Sequence, residues 1–524
     1  MTVFERVAEV AAERGAAERI RGAARNRFGA NVDVLRLAMA LFILPSALFA
    51  TKMGPLAGVP ILAGCALAYF VLWRATPQRS DALLASPIDW KLFCTCGAAA
   101  LGLCLLGGEA HIFYPNKDWL IRDAVLSDIV SNGYPLLYHY EGQDYLLRAP
   151  LGVYLAPAFF GQLAGLRSAH WALLAQNSAL LTTILYFVGL LARQRAYLVL
   201  LLVLGFSGLD IVPTAVESVL RRIDEGVWPP IDHIEWWNQL VQYSSHITQL
   251  FWAPNHALPG WQLGVLVLLY GRREIDLATM LAVLAPLMFW SPLAAVGVTP
   301  IVALYCLETP RRELLQARGL QAIASGLLFL PLAYFITRGA GENSHSLLMA
   351  IDGYPPLYII FLAVEIPHAL ILAAAWSKVE VCDRRPLLVA LLVLVLLPMF
   401  EFGQGNDLAM RASITPLFLL AFAFARLVAA SLPLRRNWQS AGIATIVTLA
   451  IPTPGLEIAR AFTPTFAISD CNFLTSWRKV SPKTNSANYL AKPDQIPDWL
   501  VAPVGPVLSL EDRRCWPDHP ILHR

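Results

Sequence analysis

The chain has 524 residues, of which 57% are hydrophobic and 15% charged, and its formal net charge is +3. Soluble proteins carry about 25% charged residues, so this composition excludes an ordinary water-soluble domain and describes a membrane protein. The near balance of charge offers no case for nucleic acid as a partner.

Residues 1–32 are rich in Arg and Ala with helical periodicity and lack a secretory signal pattern. They are expected as an amphipathic segment on the cytoplasmic membrane surface, a basic tail being the alternative. From 33 to 456, apolar stretches near the ~20 residues needed to cross a bilayer recur. They fall at 33–51, 55–73, 92–108, 170–192, 196–213, 256–271, 275–290, 291–306, 318–336, 356–376, 387–401, 412–431 and 440–456. The pattern predicts an all-α polytopic transmembrane helical bundle of about thirteen spans plus juxtamembrane helices. The shorter segment 150–166, punctuated by Pro and Gly, is expected not to cross.

Orientation follows the basic short loops. Arg193 and Arg195, Arg272 and Arg273, Arg311 and Arg312, Lys378 and Arg384, and Arg435 and Arg436 mark loops that share the cytoplasm with the N-terminus. Segments 109–150, 214–255, 337–355 and 402–411 then lie outside, with the proline-rich tail 457–524 as a small extracytoplasmic appendage. Its two cysteines, Cys471 and Cys515, both fall on the oxidising side, so a disulfide between them is expected.

Polar chemistry collects in these outer segments. The stretch "YPNKDWLIRDAVLSDIVSNGYP" (114–135) follows directly on an apolar run. If it is helical, Asp118 and Arg122 pair across one turn, while Asp123 points about 140° away from Asp118. The three aspartates therefore cannot all serve one site. Asp118, beside Lys117 and Arg122, is expected to stay ionised and to accept a proton from a hydroxyl or hold a cation. Ordinary surface ion pairs are the alternative. Asp128 is a second-site acid, and Asp123 belongs to the other face.

Asp210 stands at the end of a predicted span, where an acid suggests function unless it is a partnered helix end. In "IDHIEWWNQLVQYSSHITQLFWAPNHALPGW" (231–261), Glu235, Trp237, Asn255 and His256 are candidates to line a sugar site, interfacial anchoring being the competing explanation. The spacing of His233, His246 and His256 does not suit a metal; a divalent cation held by Asp or Glu with phosphate stays open. In "EFGQGNDLAMRAS" (401–413), Asn406 can cap a helix whose Asp407 and Arg411 pair. Arg411 can equally bind a phosphate, since its five donors allow both.

Asp118, Asp128, Gly133 and Pro135, followed by "YLLRAPLGVYLAPA" with Arg148, Pro150 and Leu151, resemble the first extracytoplasmic loop of GT-C glycosyltransferases. The resemblance covers about 50 residues. It implies a polytopic enzyme using a polyprenyl-phosphate sugar, with Asp118 as general base and Arg148 as a donor-phosphate ligand where the family often has Lys-Pro-Pro. The family's usual opening survives only as "GEAH", which leaves Glu109 as the alternative base. The expected function is inverting sugar transfer to an acceptor hydroxyl of a glycolipid, polysaccharide or protein, at the outer face of a bacterial cytoplasmic membrane. Arg148 and Arg411 would stabilise the departing prenyl phosphate. The competing class is a transporter or lipid-linked sugar flippase, and a membrane scaffold is the third.

Overall fold

The computed structural model describes residues 29–75, 82–228, 233–403, 405–434, 437–463, 471–480, 488–501, 505–513 and 515. The expected N-terminal amphipathic segment, apart from its last few residues, and Arg435 with Arg436 lie outside the described residues.

The principal helices are α1 (Asn31–Ala50), α2 (Pro55–Trp73), α3 (Trp90–Leu106), α4 (Lys117–Asn132), α5 (Leu155–Ala164), α6 (Leu166–Ala192), α7 (Ala196–Leu204), α8 (Ile211–Glu225), α9 (His246–Trp252), α10 (Pro254–Gly271) and α11 (Leu277–Met288). They continue with α12 (Pro292–Glu308), α13 (Ala317–Leu328), α14 (Leu330–Thr337), α15 (Tyr354–Glu365), α16 (His368–Ala374), α17 (Val381–Leu396), α18 (Asp407–Ala412), α19 (Ile414–Ser431), α20 (Trp438–Ala450), α21 (Pro452–Arg460) and α22 (Phe473–Val480). The core runs along α6, which packs on α3, α5 and α10, and along α19, which packs on α7, α10 and α17. Exposed Leu56, Leu163, Leu201, Ile359 and Leu370 leave the bundle's outside apolar, as contact with lipid requires.

Among the described residues, six helices are long and apolar enough to cross a membrane: α1, α2, α6, Ala317–Glu342, α19 and Trp438–Arg460. The pair α15 and α16, bent by 68°, makes a seventh if it is one span. This is fewer than the about thirteen expected spans, and the reason is local. Several apolar stretches that read as spans form helices shorter than those six: α11 has 12 residues, α3 and α12 have 17 each. At ~1.5 Å per residue, a 12-residue helix covers about 18 Å of a ~30 Å hydrocarbon layer. The stretch 196–213 stops after Leu204 and restarts at Ile211. The 150–166 segment yields the ten-residue α5, also too short to cross upright.

The connecting segments separate into two groups. In one, Arg193, Arg272 and Arg426 converge on Glu380, and Arg272 also pairs with Asp383 at 2.7 Å. This cluster gathers loops that the basic-residue pattern assigns to a common side, and it holds the Glu380 carboxyl down at about 2, chiefly through the Arg426 hydrogen bond.

In the other group, the first polar loop and the tail fold together. Strands β1 (Leu137–Tyr140) and β2 (Gln143–Leu147) form an antiparallel hairpin. A separate antiparallel pair joins β3 (His345–Leu347) to β4 (Phe400–Phe402). Tail strands β5 (Leu490–Ala491) and β6 (Val507–Leu508) extend the first hairpin into a four-stranded sheet of order β5-β2-β1-β6. A disulfide joins Cys471 to Cys515, and α22 lies against α4.

Candidate functional site

One wall of the site is the start of α4. Asn116 caps it by accepting from the Asp118 amide at 3.0 Å, which satisfies a backbone donor the helix leaves open. Asn116 Nδ2 and Trp119 Nε1 both donate to the Phe251 carbonyl, at 2.8 and 3.0 Å, and fix this end of α4 on α9. Asp118 is held accessible: its side chain is 43% exposed, whereas that of Arg122, 3.5 Å away, is 8% exposed. Arg122 Nη1 has no hydrogen-bond partner among the described residues, and the guanidinium lies 5.8 Å from the Trp119 ring centroid. A desolvated cation with an open donor is an anion receptor by physical default.

The second wall is α18. Asn406 takes the left-handed conformation (φ 56°) at its N-cap, and its side chain accepts from Phe402 N and Ala409 N. The helix sits hard against α12 because position 297 is glycine, where a β-carbon would run into the Ala412 carbonyl. Asp407 is buried and pairs with Arg411 at 2.7 Å. Asn488, from the tail, donates to its other oxygen at 2.7 Å. Burial pushes the Asp407 carboxyl up, against the pull of Arg411 and Asn488. Arg411 keeps 28% of its side chain exposed.

The two walls face each other. Asp118 lies within electrostatic range of Asp407, and Arg122 and Arg411 both lie within range of His256. The Tyr489 hydroxyl lies within electrostatic range of all four charges, Asp118, Arg122, Asp407 and Arg411. His256 is buried between Ser291 (2.8 Å) and Asn255 (3.1 Å), which fixes its ring. The structure therefore gathers Asp118, Arg122, Asn255, His256, Asn406, Asp407 and Arg411, with Asn488 and Tyr489 contributed by the tail. An accessible carboxylate with one guanidinium beside it and a second in the same neighbourhood can accept a proton while an anion is held nearby.

Other residues singled out in the sequence go elsewhere. Arg148 is buried; its Nη1 donates to the Ile336 carbonyl at 3.0 Å, so it caps the end of α14. Burial lowers its pKa to about 10, against the opposing pull of the Glu342 charge. Asp128 accepts from the Tyr138 hydroxyl (2.6 Å) and the Phe473 amide (2.7 Å). It thus binds the tail to the loop, and burial pushes it up to about 7. Glu109 is 2% exposed and accepts from Asn177 at 2.9 Å. Burial raises it to about 8. As a base it would need solvent access that this packing denies.

Glu235 and Trp237 belong to a separate, enclosed acid group. Glu235 is 1% exposed and accepts from Ser245 N, Thr248 Oγ1 and Gln242 Nε2. Trp237 Nε1 donates to Glu365 at 3.0 Å. Asp210 accepts from Ser207 and Thr453 and meets Glu365 side chain to side chain. It is therefore a partnered helix start, and desolvation raises its pKa. These residues knit α8, α9, α15 and α21 rather than lining an open surface.

Sequence reasoning did not reach Asn488 and Tyr489, which lie in a tail with little periodicity. It also did not reach a buried group of His111, Asp123 and His170. No local signal links His170 to the other two; the sole pointer was the orientation of Asp123 away from Asp118. No family model, no curated protein and no solved structure matches the chain.

Proposed function

We propose that the chain is an inverting glycosyltransferase of the GT-C type, moving a sugar from a polyprenyl-phosphate donor to an acceptor hydroxyl at the outer face of a bacterial cytoplasmic membrane. The observation that supports this reading is the accessible Asp118 carboxylate beside Arg122, with Arg411 in the same charged neighbourhood around Tyr489. In the reaction, Asp118 removes the acceptor's hydroxyl proton as that oxygen bonds to the anomeric carbon. The bond from that carbon to the phosphate oxygen breaks, and polyprenyl phosphate departs with the electron pair. Its negative charge needs cations rather than a proton, which Arg122 and Arg411 supply.

The sequence resemblance gave the phosphate role to Arg148, and the donor chemistry of Arg411 added that residue; the bond from Arg148 to the Ile336 carbonyl favours Arg122 in its place. The donor's lipid tail accounts for a site built at the end of a bundle of membrane-length helices. Acceptor classes are glycolipid, polysaccharide and protein. The test is transfer from a synthetic polyprenyl-phosphate sugar by the purified chain in lipid nanodiscs, together with mass spectrometry of envelope glycans with and without the gene. A one-sugar difference in the glycans and turnover in nanodiscs support the reading. A lipid-linked sugar that crosses the bilayer without being transferred makes the chain a flippase instead.

A further inference from the structure

We propose that His111, Asp123 and His170 form a binding site for one divalent transition-metal ion, of the zinc class, that ties α4 to α6. Each residue offers one ligand atom, and these atoms all lie within 4.8 Å of one another. His111 Nε2 stands 3.0 Å from Asp123 Oδ2, and His170 Nδ1 stands 3.8 Å from Asp123 Oδ1. With metal bonds of about 2.0–2.1 Å, tetrahedral ligands sit roughly 3.3 Å apart, so the 3.0 Å pair already fits and the wider pairs, up to 4.8 Å, close on an ion by side-chain rotation of about 0.5–1.5 Å. The two imidazoles meet different carboxylate oxygens, and a carboxylate can hold an ion through one or both.

Three observations argue for an ion over a chance grouping. The side chains are 4%, 1% and 2% exposed, so this is an interior site and not a solvated acidic patch. Neither oxygen of Asp123 accepts a hydrogen bond from the described residues, and a buried carboxylate without donors is costly unless a cation meets it. The backbone is also bent to present His111: Ala110 and His111 take φ of 60° and 58°, a left-handed conformation unfavourable for residues with a β-carbon. Such strain persists where the surroundings over-determine it, commonly at ligand sites.

Imidazole nitrogen selects Zn²⁺, Co²⁺ or Fe²⁺ over Mg²⁺ and Ca²⁺, which prefer oxygen. Three protein ligands leave a fourth position for water. The ligands come from the turn Glu109–His111, from α4 and from α6. An ion would therefore fix the face of α4 that points away from Asp118, and would set how firmly Asp118 and Arg122 are held.

The test is metal binding by the full purified chain, stripped with chelator and then given ZnCl₂ or CoCl₂. The expected result is about one Zn²⁺ per chain by elemental mass spectrometry, and a Co²⁺ d–d spectrum of the intensity of a four- or five-coordinate site. His170→Gln and Asp123→Asn should each weaken binding about 100-fold or more. A Zn²⁺-dependent rise in the unfolding temperature should accompany binding in the wild type and be absent in the variants. If the wild-type chain takes up neither ion, or the variants take up as much as the wild type, the group is an imidazole–carboxylate pair and the proposal is wrong. The wild-type Co²⁺ spectrum decides the matter even if a variant fails to fold.

Discussion

Arg411 carries two competing assignments, partner of Asp407 and receptor of the donor phosphate, and a double-mutant cycle separates them. Arg411→Ala leaves Asp407 buried, with only Asn488 still donating to it. Removing one member of a buried pair costs about 3–5 kcal/mol. Because Arg411 is 28% exposed, water can partly replace it, and the lower end, about 3 kcal/mol, is expected. Asp407→Asn in the same chain removes the stranded charge while keeping the shape, and should restore most of that stability. Activity should behave differently. If Arg411 stabilises the departing phosphate, its loss costs about 10²–10³ in kcat, and Asp407→Asn returns none of it. The assay is equilibrium unfolding of wild type, both single variants and the double variant in detergent, beside transfer rates in nanodiscs. A double variant that regains activity to within a few-fold of wild type would refute the phosphate role and leave Arg411 as a salt-bridge partner.

Asp118→Asn should lower transfer by about 10²–10⁴ with little change in unfolding temperature, because the Asp118–Arg122 contact is long and the carboxylate half exposed; activity within a few-fold of wild type would remove Asp118 as the base. Asp128 should make tail docking pH-dependent. Its folded-state carboxyl titrates at about 7 against ~3.9 unfolded, so the folded form holds the extra proton between those values, and stability is full below pH ~4 and declines as pH rises toward 7. Amide protection factors at Phe473–Val480, exchange rates corrected for the intrinsic pH dependence, should fall over that window in wild type and stay flat in Asp128→Asn; a flat wild-type profile counts against this. Reducing the Cys471–Cys515 bridge, whose sequence separation is 44, should cost about 4 kcal/mol by loop entropy, seen as earlier unfolding in dithiothreitol that Cys471→Ser no longer shows.

Some of this was legible in the sequence and some was not, for physical reasons. Hydropathy identifies apolar length but not where a helix stops, so 196–213 read as one span although the backbone breaks after Leu204 and restarts at Ile211, whereas the division of 275–306 near residue 290 falls where the sequence placed it. Short-range pairs were readable because helical spacing dictates them: Asp118 with Arg122 and Asp407 with Arg411 are both four apart and both form. The cap by Asn406 follows from the same local rule. Glu235 was a candidate for an open loop because tryptophan surrounds it in sequence, yet tertiary packing gives it three internal donors and closes it off. Asn488 and Tyr489 reach the site through strand β5, a pairing of two residues that no periodicity could announce.

The spacing of the acids along α4 explains how one short helix holds three unlike environments. Asp118, Asp123 and Asp128 stand at five-residue intervals, and each interval turns the side chain by about 140°. They cannot share a face, and they do not. Asp118 stays exposed beside Arg122, Asp123 turns inward to His111 and His170, and Asp128 turns to Tyr138 and the Phe473 amide. The geometry makes α4 a junction. A change that rotates it by a fraction of a turn displaces the proton acceptor, the imidazole group and the tail together. The position of Asp118 is therefore coupled to contacts made on the two other faces. By this logic Asp128→Asn and Asp123→Asn, neither of which belongs to the site, should still lower transfer through Asp118, whereas an exposed change on the bundle wall such as Leu201→Ala should not. Equal activity in all three would mean that the start of α4 is held by Asn116 and Trp119 alone.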